Sequence, residues 1–193
     1  MTSPADRFIV ITGGPGSGKT SLVEHLAASG HQTSDEAGRA IIQAQQQIGG
    51  TALPWADRQL FAELMLSWEI RSHQAALTGE GPVVFDRGVP DVIGYLTLCG
   101  LPVPAHMQRA AALHRYADPV FIAPFWPEIF RQDAERHQDL AEAERTHAAM
   151  VEAYRAAGYR LMELPRAPVA ERAEFVVETV GNLLRPPSSA PLR

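Results

Sequence analysis

Eight residues near the start of the chain, Gly13-Gly14-Pro15-Gly16-Ser17-Gly18-Lys19-Thr20, have the types and spacing to cradle phosphate groups. They match G-x-x-x-x-G-K-[ST] at every specified position. Glycines let the backbone curl through conformations that other residues resist, which turns a run of N–H donors toward one point. A helix starting just after the loop adds its positive N-terminal end to the same anion. Lys19 is positioned to reach β- and γ-phosphates, and the Thr20 hydroxyl to ligate Mg²⁺. The candidate nucleotide-binding segment therefore runs through Gly13, Gly14, Pro15, Gly16, Ser17, Gly18, Lys19, Thr20 and Ser21. A glycine-rich turn that holds no ligand is the alternative.

A second group lies at Val83-Val84-Phe85-Asp86-Arg87-Gly88. An apolar strand ending in an acid delivers that carboxylate to the C-terminal edge of a parallel sheet, where ligands bind. Asp86 is then a candidate for the Mg²⁺ shell together with Thr20. Taken alone, an Asp after a strand is more often a helix cap, and the complete phosphate loop beside it favours the metal role. The composition adds a pointer. Of the 17 basic residues, Lys19 is the single lysine. Arginine bias of that kind follows from a GC-rich genome, so only the exception to it is informative.

These residues need a frame. Four short, non-alternating apolar runs read as buried strands: Phe8–Thr12, Pro82–Phe85, Pro119–Ala123 and Tyr159–Leu164. A fifth near His31–Ser34 is weaker. Helical stretches fall between them: Gly18–Ser29, Asp57–Leu77, Asp91–Leu98, Pro104–Tyr116, Gln138–Ala157 and Pro168–Leu184. Strands alternating with helices make an α/β fold around a parallel sheet. With 193 residues and 46% hydrophobic content, the chain suits one soluble domain. Residues 7–184 are the expected core, and 186–193 have the composition of a flexible tail. The formal net charge of −5 argues against a duplex nucleic-acid binder. No apolar run approaches the roughly 18 residues of a membrane span. The polar N-terminus is no secretory signal, and Cys99 is the sole cysteine, so the expected location is the cytoplasm. The seven histidines lack zinc-site spacing.

With these motifs in place, the sequence resembles the P-loop kinase branch. Asp86-Arg87-Gly88 is similar to the D/E-R-[GSY] element of thymidylate and deoxynucleoside kinases. Its continuation through Pro90, Asp91 and Tyr95 resembles an AAA-type ATPase family related to nicotinamide-riboside-kinase-like domains. Glu36-Ala-Gly-Arg39 resembles the acid-then-Arg pattern of the second strand–helix region. Phe130-Arg-Gln-Asp-Ala-Glu-Arg136 resembles an arginine-bearing lid. The resemblance implies a three-layer P-loop NTPase sandwich with strand order 2-3-1-4-5, ATP and Mg²⁺ as cofactors, and a small-molecule acceptor opposite. It further implies roles for Lys19, Asp86, Arg87, Arg131, Arg136 and Glu36 in the chemistry. Glu36, Arg39, Arg87, Asp91 and Tyr95 would face the acceptor.

Each of those roles has a plainer rival. Arg87 could be a surface ion pair, and Glu36 the charge at a helix start with Arg39 in solvent. Arg131 and Arg136 could be surface residues partnered by Asp133 and Glu135. Phe125 and Trp126 could stack on a base, although core packing is the commoner use, as it is for Trp55 and Trp68. If the acceptor is an alcohol, Glu36 is a candidate base. If it is a monophosphate, Arg39 is the more useful group. The expected function is an ATP- and Mg²⁺-dependent kinase of a nucleoside, nucleotide or similar metabolite. An ATPase or switch acting on a protein partner is the alternative, and a binding module without turnover the third. Oligomeric state is open.

Overall fold

The computed structural model describes residues 4–130 and 139–184. Five strands form one parallel sheet: β1 (Phe8–Gly13), β2 (Gln32–Ser34), β3 (Val83–Asp86), β4 (Val120–Ala123) and β5 (Leu161–Glu163). Their order is β2-β3-β1-β4-β5, as the family resemblance implies. Ile11 stands opposite Asp86 on one side of β1, and Gly13 opposite Ala123 on the other. The central strand thus delivers its C-terminal end, the phosphate loop, between the ends of β3 and β4.

Seven helices flank the sheet: α1 (Lys19–Ala28), α2 (Ala37–Ile48), α3 (Arg58–Leu77), α4 (Val89–Leu98), α5 (Ala105–Leu113), α6 (Leu140–Ala156) and α7 (Val169–Leu184). Side chains alternate across a strand, so β1 feeds two cores. Phe8 and Val10 pack with Phe85, Leu66, Leu96, Met107 and Tyr154 beneath α3 to α6. Ile9 and Ile11 pack with Leu22, Leu26, Phe121 and Val176 beneath α1 and α7. A strand covered on both faces has no polar face to show, hence the unbroken apolar runs. Among the described residues no helix is long and apolar enough to cross a membrane.

Several boundaries differ from expectation for identifiable reasons. Helix α4 starts at Val89, two residues before the expected Asp91. Pro90 suits a first helical turn, and the Asp91 carboxylate reaches back to the Gly88 N–H at 3.0 Å. Helix α5 ends at Leu113 instead of Tyr116, and the chain turns so that Tyr116 enters the core. Helix α2 is not among the expected helical stretches. Its Gln-rich second half carries little pattern, but Ala37, Ile41 and Ile42 form a small core with Leu53 and Phe61. That packing stands α2 beside α3 and makes one wall of the site.

Candidate functional site

Two cavities open at the C-terminal edge of the sheet. The first, of about 500 Å³, follows the phosphate loop from Pro15 to Ser21 and is closed by Glu36, Arg39, Arg87, Ile129, Phe130 and Arg172. The second, of about 910 Å³, is bounded by α2, α3, α4 and α6. Pro15, Glu36 and Arg87 line both. The cavities therefore meet at one acid and one guanidinium.

The loop's glycines are fixed by their surroundings. Gly18, the residue before α1, has φ +75°, where a side chain is strained. A Cβ on Gly14 would stand 2.6 Å from the Ala143 carbonyl oxygen, so the loop lies directly on α6. Lys19 is buried, and its Nζ donates to the Gly14 carbonyl at 2.6 Å and to the Ser17 hydroxyl at 3.3 Å. Thr20 is exposed to the cavity.

Asp86 ends β3 inside this layer, buried, with Oδ1 lacking any hydrogen-bond partner among the described residues. Burial, and then the Glu36 carboxylate, push its pKa up to about 6, against the pull of Lys19 and Arg87. Asp86 lines neither cavity, but a buried carboxylate oxygen without a partner, on the strand end beside the strand that leads into the phosphate loop, fits a hard divalent cation such as Mg²⁺. The raised pKa also has a consequence for stability. A carboxyl that holds its proton more tightly when folded loses stability as pH rises through that pKa. At pH 7.5 its ionised form costs about 3 kcal/mol, since a tenfold difference in proton affinity between folded and unfolded chains is worth about 1.36 kcal/mol. Asp86→Asn should therefore stabilise the metal-free protein at pH 7.5 by up to that amount, with the gain vanishing near pH 4. Urea unfolding at the two pH values checks this, and an equal effect at both contradicts it.

Arg87 follows at φ +79°, a conformation that costs a non-glycine residue of order 1–3 kcal/mol and is found where surroundings enforce it. Its N–H donates to the Ile11 carbonyl at 3.0 Å. Its side chain turns back over the loop, with Nε on Glu36 Oε1 at 3.2 Å, and Nη1 on Asp91 Oδ1 at 3.0 Å and on the Gly13 carbonyl at 3.2 Å. Burial opposes its charge, but Glu36, Asp91 and Asp86 outweigh burial and push its pKa up.

Asp91 is 6% exposed and engaged at both oxygens. Oδ1 accepts from the Thr12 hydroxyl and Arg87, and Oδ2 from the Gly88 N–H and the Tyr154 hydroxyl at 2.6 Å. The capping role open to Asp86 in the sequence thus belongs to Asp91. Truncation would take the carboxylate acceptor from Thr12, the Gly88 N–H and Tyr154, and one of the three acceptors from Arg87. Asp91→Ala should cost about 3–5 kcal/mol in urea unfolding, and a loss under about 1 kcal/mol would refute this network.

The remaining expected residues divide between the cavities. Arg39 lines the phosphate cavity and not the larger one. Tyr95 lines the larger cavity, edge-on to Phe61 at 5.5 Å and beside the Cys99 thiol. Trp55 is 55% exposed at its mouth. Phe125 and Trp126 line neither cavity, and Phe130 packs against Gly16 instead. Arg131 and Arg136 lie outside the described residues.

Two further site residues belong to no motif. Glu69 on α3 is 4% exposed and lines the larger cavity. Arg172 on α7 is 5% exposed, and its Nη1 donates to the Ser17 and Gly18 carbonyls at 3.3 Å each, while Nε is buried without a partner among the described residues. Both sit on the buried stripes of their helices: Leu66, Glu69, His73 and Arg172, Val176, Val180. A charged residue in an apolar helical stripe is the available signal. Arg172→Met should weaken nucleotide binding about tenfold by releasing the loop carbonyls that the guanidinium holds. Unchanged affinity in a titration would remove Arg172 from the site.

Together the sheet order and loop define a P-loop nucleotide-binding fold. A family model described as an AAA domain matches residues 8–172, and the chain belongs to that family. Among solved structures, it resembles NadR in complex with NR at TM-score 0.67 and 17% identity, over 97% of this chain and 54% of that one. The chain thus spans about half the length of NadR. It resembles thymidylate kinase from Ehrlichia chaffeensis at TM-score 0.63 and 15% identity, over 92% and 100% of the two chains. Deoxyadenosine kinase from M. mycoides aligns at TM-score 0.62 and 13% identity, over 91% and 99%. No curated protein matches the sequence.

Proposed function

We propose that the protein is an ATP- and Mg²⁺-dependent phosphotransferase acting on a small molecule of the nucleoside or nucleotide class. One observation carries this reading: a phosphate cavity and a separate, larger, mostly apolar cavity meet at Glu36 and Arg87. A donor phosphate on the loop and an acceptor in the large cavity would face each other across that junction. An ATPase or switch needs only the first cavity. The structural resemblance to NadR, thymidylate kinase and deoxyadenosine kinase supports the same class.

Phosphoryl transfer asks the protein mainly for positioning and charge neutralisation. Lys19 and the loop amides would hold the β- and γ-phosphates, with Arg172 bracing the loop from α7. Asp86 and Thr20 would hold Mg²⁺, which neutralises phosphate charge. Glu36 would accept the proton of an attacking hydroxyl. Arg87, locked by Asp91, would keep Glu36 in place and offer positive charge at the point of transfer. Arg39 would act on the donor side. Arg131 and Arg136 would close over the phosphates from the segment after Phe130. Incubation with ATP labelled at its γ-phosphate and a panel of nucleosides and nucleotides tests the proposal. Label should pass to one class of acceptor, and hydrolysis alone across the panel would defeat it.

A further inference from the structure

Two arginines that the transfer chemistry does not use line the large cavity from different helices. Arg58 opens α3, and Arg145 lies in the second turn of α6. Helix α4 packs against both helices, and its last residues, Tyr95 and Leu98, line the same wall with Cys99. Burial raises the pKa of the Tyr95 hydroxyl and of the Cys99 thiol, while Arg58 pulls both down, so its guanidinium stands near both groups. Glu142, one turn ahead of Arg145, pushes the same thiol up. The starts of α3 and α6 therefore meet at the end of α4, where Trp55 lies exposed, and this is the outer end of the cavity.

Neither arginine has an acidic partner among the described residues. Arg58 Nε donates to the Pro54 carbonyl at 3.0 Å, which leaves its two terminal nitrogens without a bond there, and Arg145 forms no hydrogen bond. Arg87, at the inner end, differs in being held by Glu36 and Asp91. Of the four acids on this cavity, Glu36 and Asp91 are bound to Arg87, Glu69 belongs to the middle of α3, and Glu142 alone stands at the outer end. Two cations against one carboxylate leave that end positive, in a chain whose formal net charge is −5. The Tyr95 hydroxyl beside them is buried without a hydrogen-bond partner among the described residues, which is a cost that a ligand acceptor recovers.

We propose that Arg58 and Arg145 form an anion subsite at the outer end of the large cavity, which takes a carboxylate or phosphate that the acceptor carries away from its reacting oxygen, with the Tyr95 hydroxyl as a further donor. Guanidinium forks match the paired oxygens of both anions. The cavity, at about 910 Å³, is near the upper end of the range for small-molecule sites and has room for an acceptor that reaches from the Glu36–Arg87 junction to this end. Phe61, Met65 and Val92 line it with apolar surface for the body of such a molecule. The assignment deepens the phosphotransferase reading and rests on it for naming the ligand an acceptor.

Calorimetric titration of the full chain with matched acceptor pairs tests it. One set of probes is nucleosides with a carboxylate on the base against their carboxamides, and the other is nucleoside 3′-monophosphates against the parent nucleosides. In at least one set the anionic member should bind at least about tenfold tighter than its neutral partner, and high salt should shrink that preference. A preference confined to one set identifies which anion the subsite takes. The double variant Arg58→Gln, Arg145→Gln should abolish the preference and leave the affinity for neutral members within about twofold of the parent's. Restoring the charge with Arg58→Lys, Arg145→Lys should return part of it, and thermal unfolding verifies that each variant folds. Equal or tighter binding of the neutral members overturns the assignment, as does a preference that survives in the Gln variant or no binding by any probe. An anion that binds in an arginine-dependent way but never accepts label from ATP would uphold the subsite and sink the transfer reading. Label that passes to neutral members as readily as to anionic ones, in parent and Gln variant alike, would sink the subsite and leave the transfer reading intact.

Discussion

Lys19→Ala should lower ATP affinity at least about 100-fold while the protein still unfolds cooperatively. The expectation follows from what the ammonium does in this loop. It is buried, and its Nζ donates to the Gly14 carbonyl and the Ser17 hydroxyl within the glycine-rich loop. Two charge-assisted hydrogen bonds to phosphate oxygens, each about 1.5–3 kcal/mol, account for that magnitude. Lys19→Arg should fail almost as badly, because a planar guanidinium is wider than an ammonium on a slim stem. That result would explain the composition: 16 of 17 basic residues are arginine, and the exception stands where arginine does not fit. Affinity in either variant equal to the parent's, measured by titration with ATP·Mg²⁺, would contradict the phosphate-loop assignment.

Glu36→Gln should lower kcat about 100-fold or more with an alcohol acceptor, the range typical of a lost general base. ATP affinity should change little, since the loop amides and Lys19 remain. The geometry supports a role at the junction, because Glu36 alone among the acids lines both cavities. Its Oε1 is fixed by Arg87 Nε at 3.2 Å, and Arg87 is fixed in turn by Asp91. A pH–rate profile separates two explanations. If Glu36 takes the proton, the acidic limb of kcat disappears in the Gln variant. If it only anchors Arg87, kcat falls but the limb stays. A Gln variant with parental kcat would remove Glu36 from the chemistry.

The parts of this molecule that are legible in the sequence are those written in contiguous residues. Phe8 to Thr20 carries strand, loop and helix start in one stretch, so its local pattern and its function coincide. Asp86-Arg87-Gly88 is nearly as compact, since the strand that precedes it is wholly apolar. Strand order follows from the family resemblance and agrees with the sheet. Helix α2 is hidden because only Ala37, Gly38, Ile41 and Ile42 face inward, and a Gln-rich stretch follows. Glu69 and Arg172 are hidden for a different reason. Each is one charged residue on a helix, and its meaning depends on partners about 20 and 155 positions away. Asp91 looks like an acceptor ligand because its place in the motif is visible, whereas its four hydrogen bonds are not.

The central claim is that the two cavities act as one site across Glu36 and Arg87. The most direct measurement is the rate of ADP formation at saturating ATP·Mg²⁺, with and without a nucleoside or nucleotide acceptor that binds the large cavity. The account predicts at least about a 100-fold increase on adding acceptor, with one labelled product formed per ADP. An equal rate with and without acceptor, and no labelled product beyond free phosphate, would contradict it.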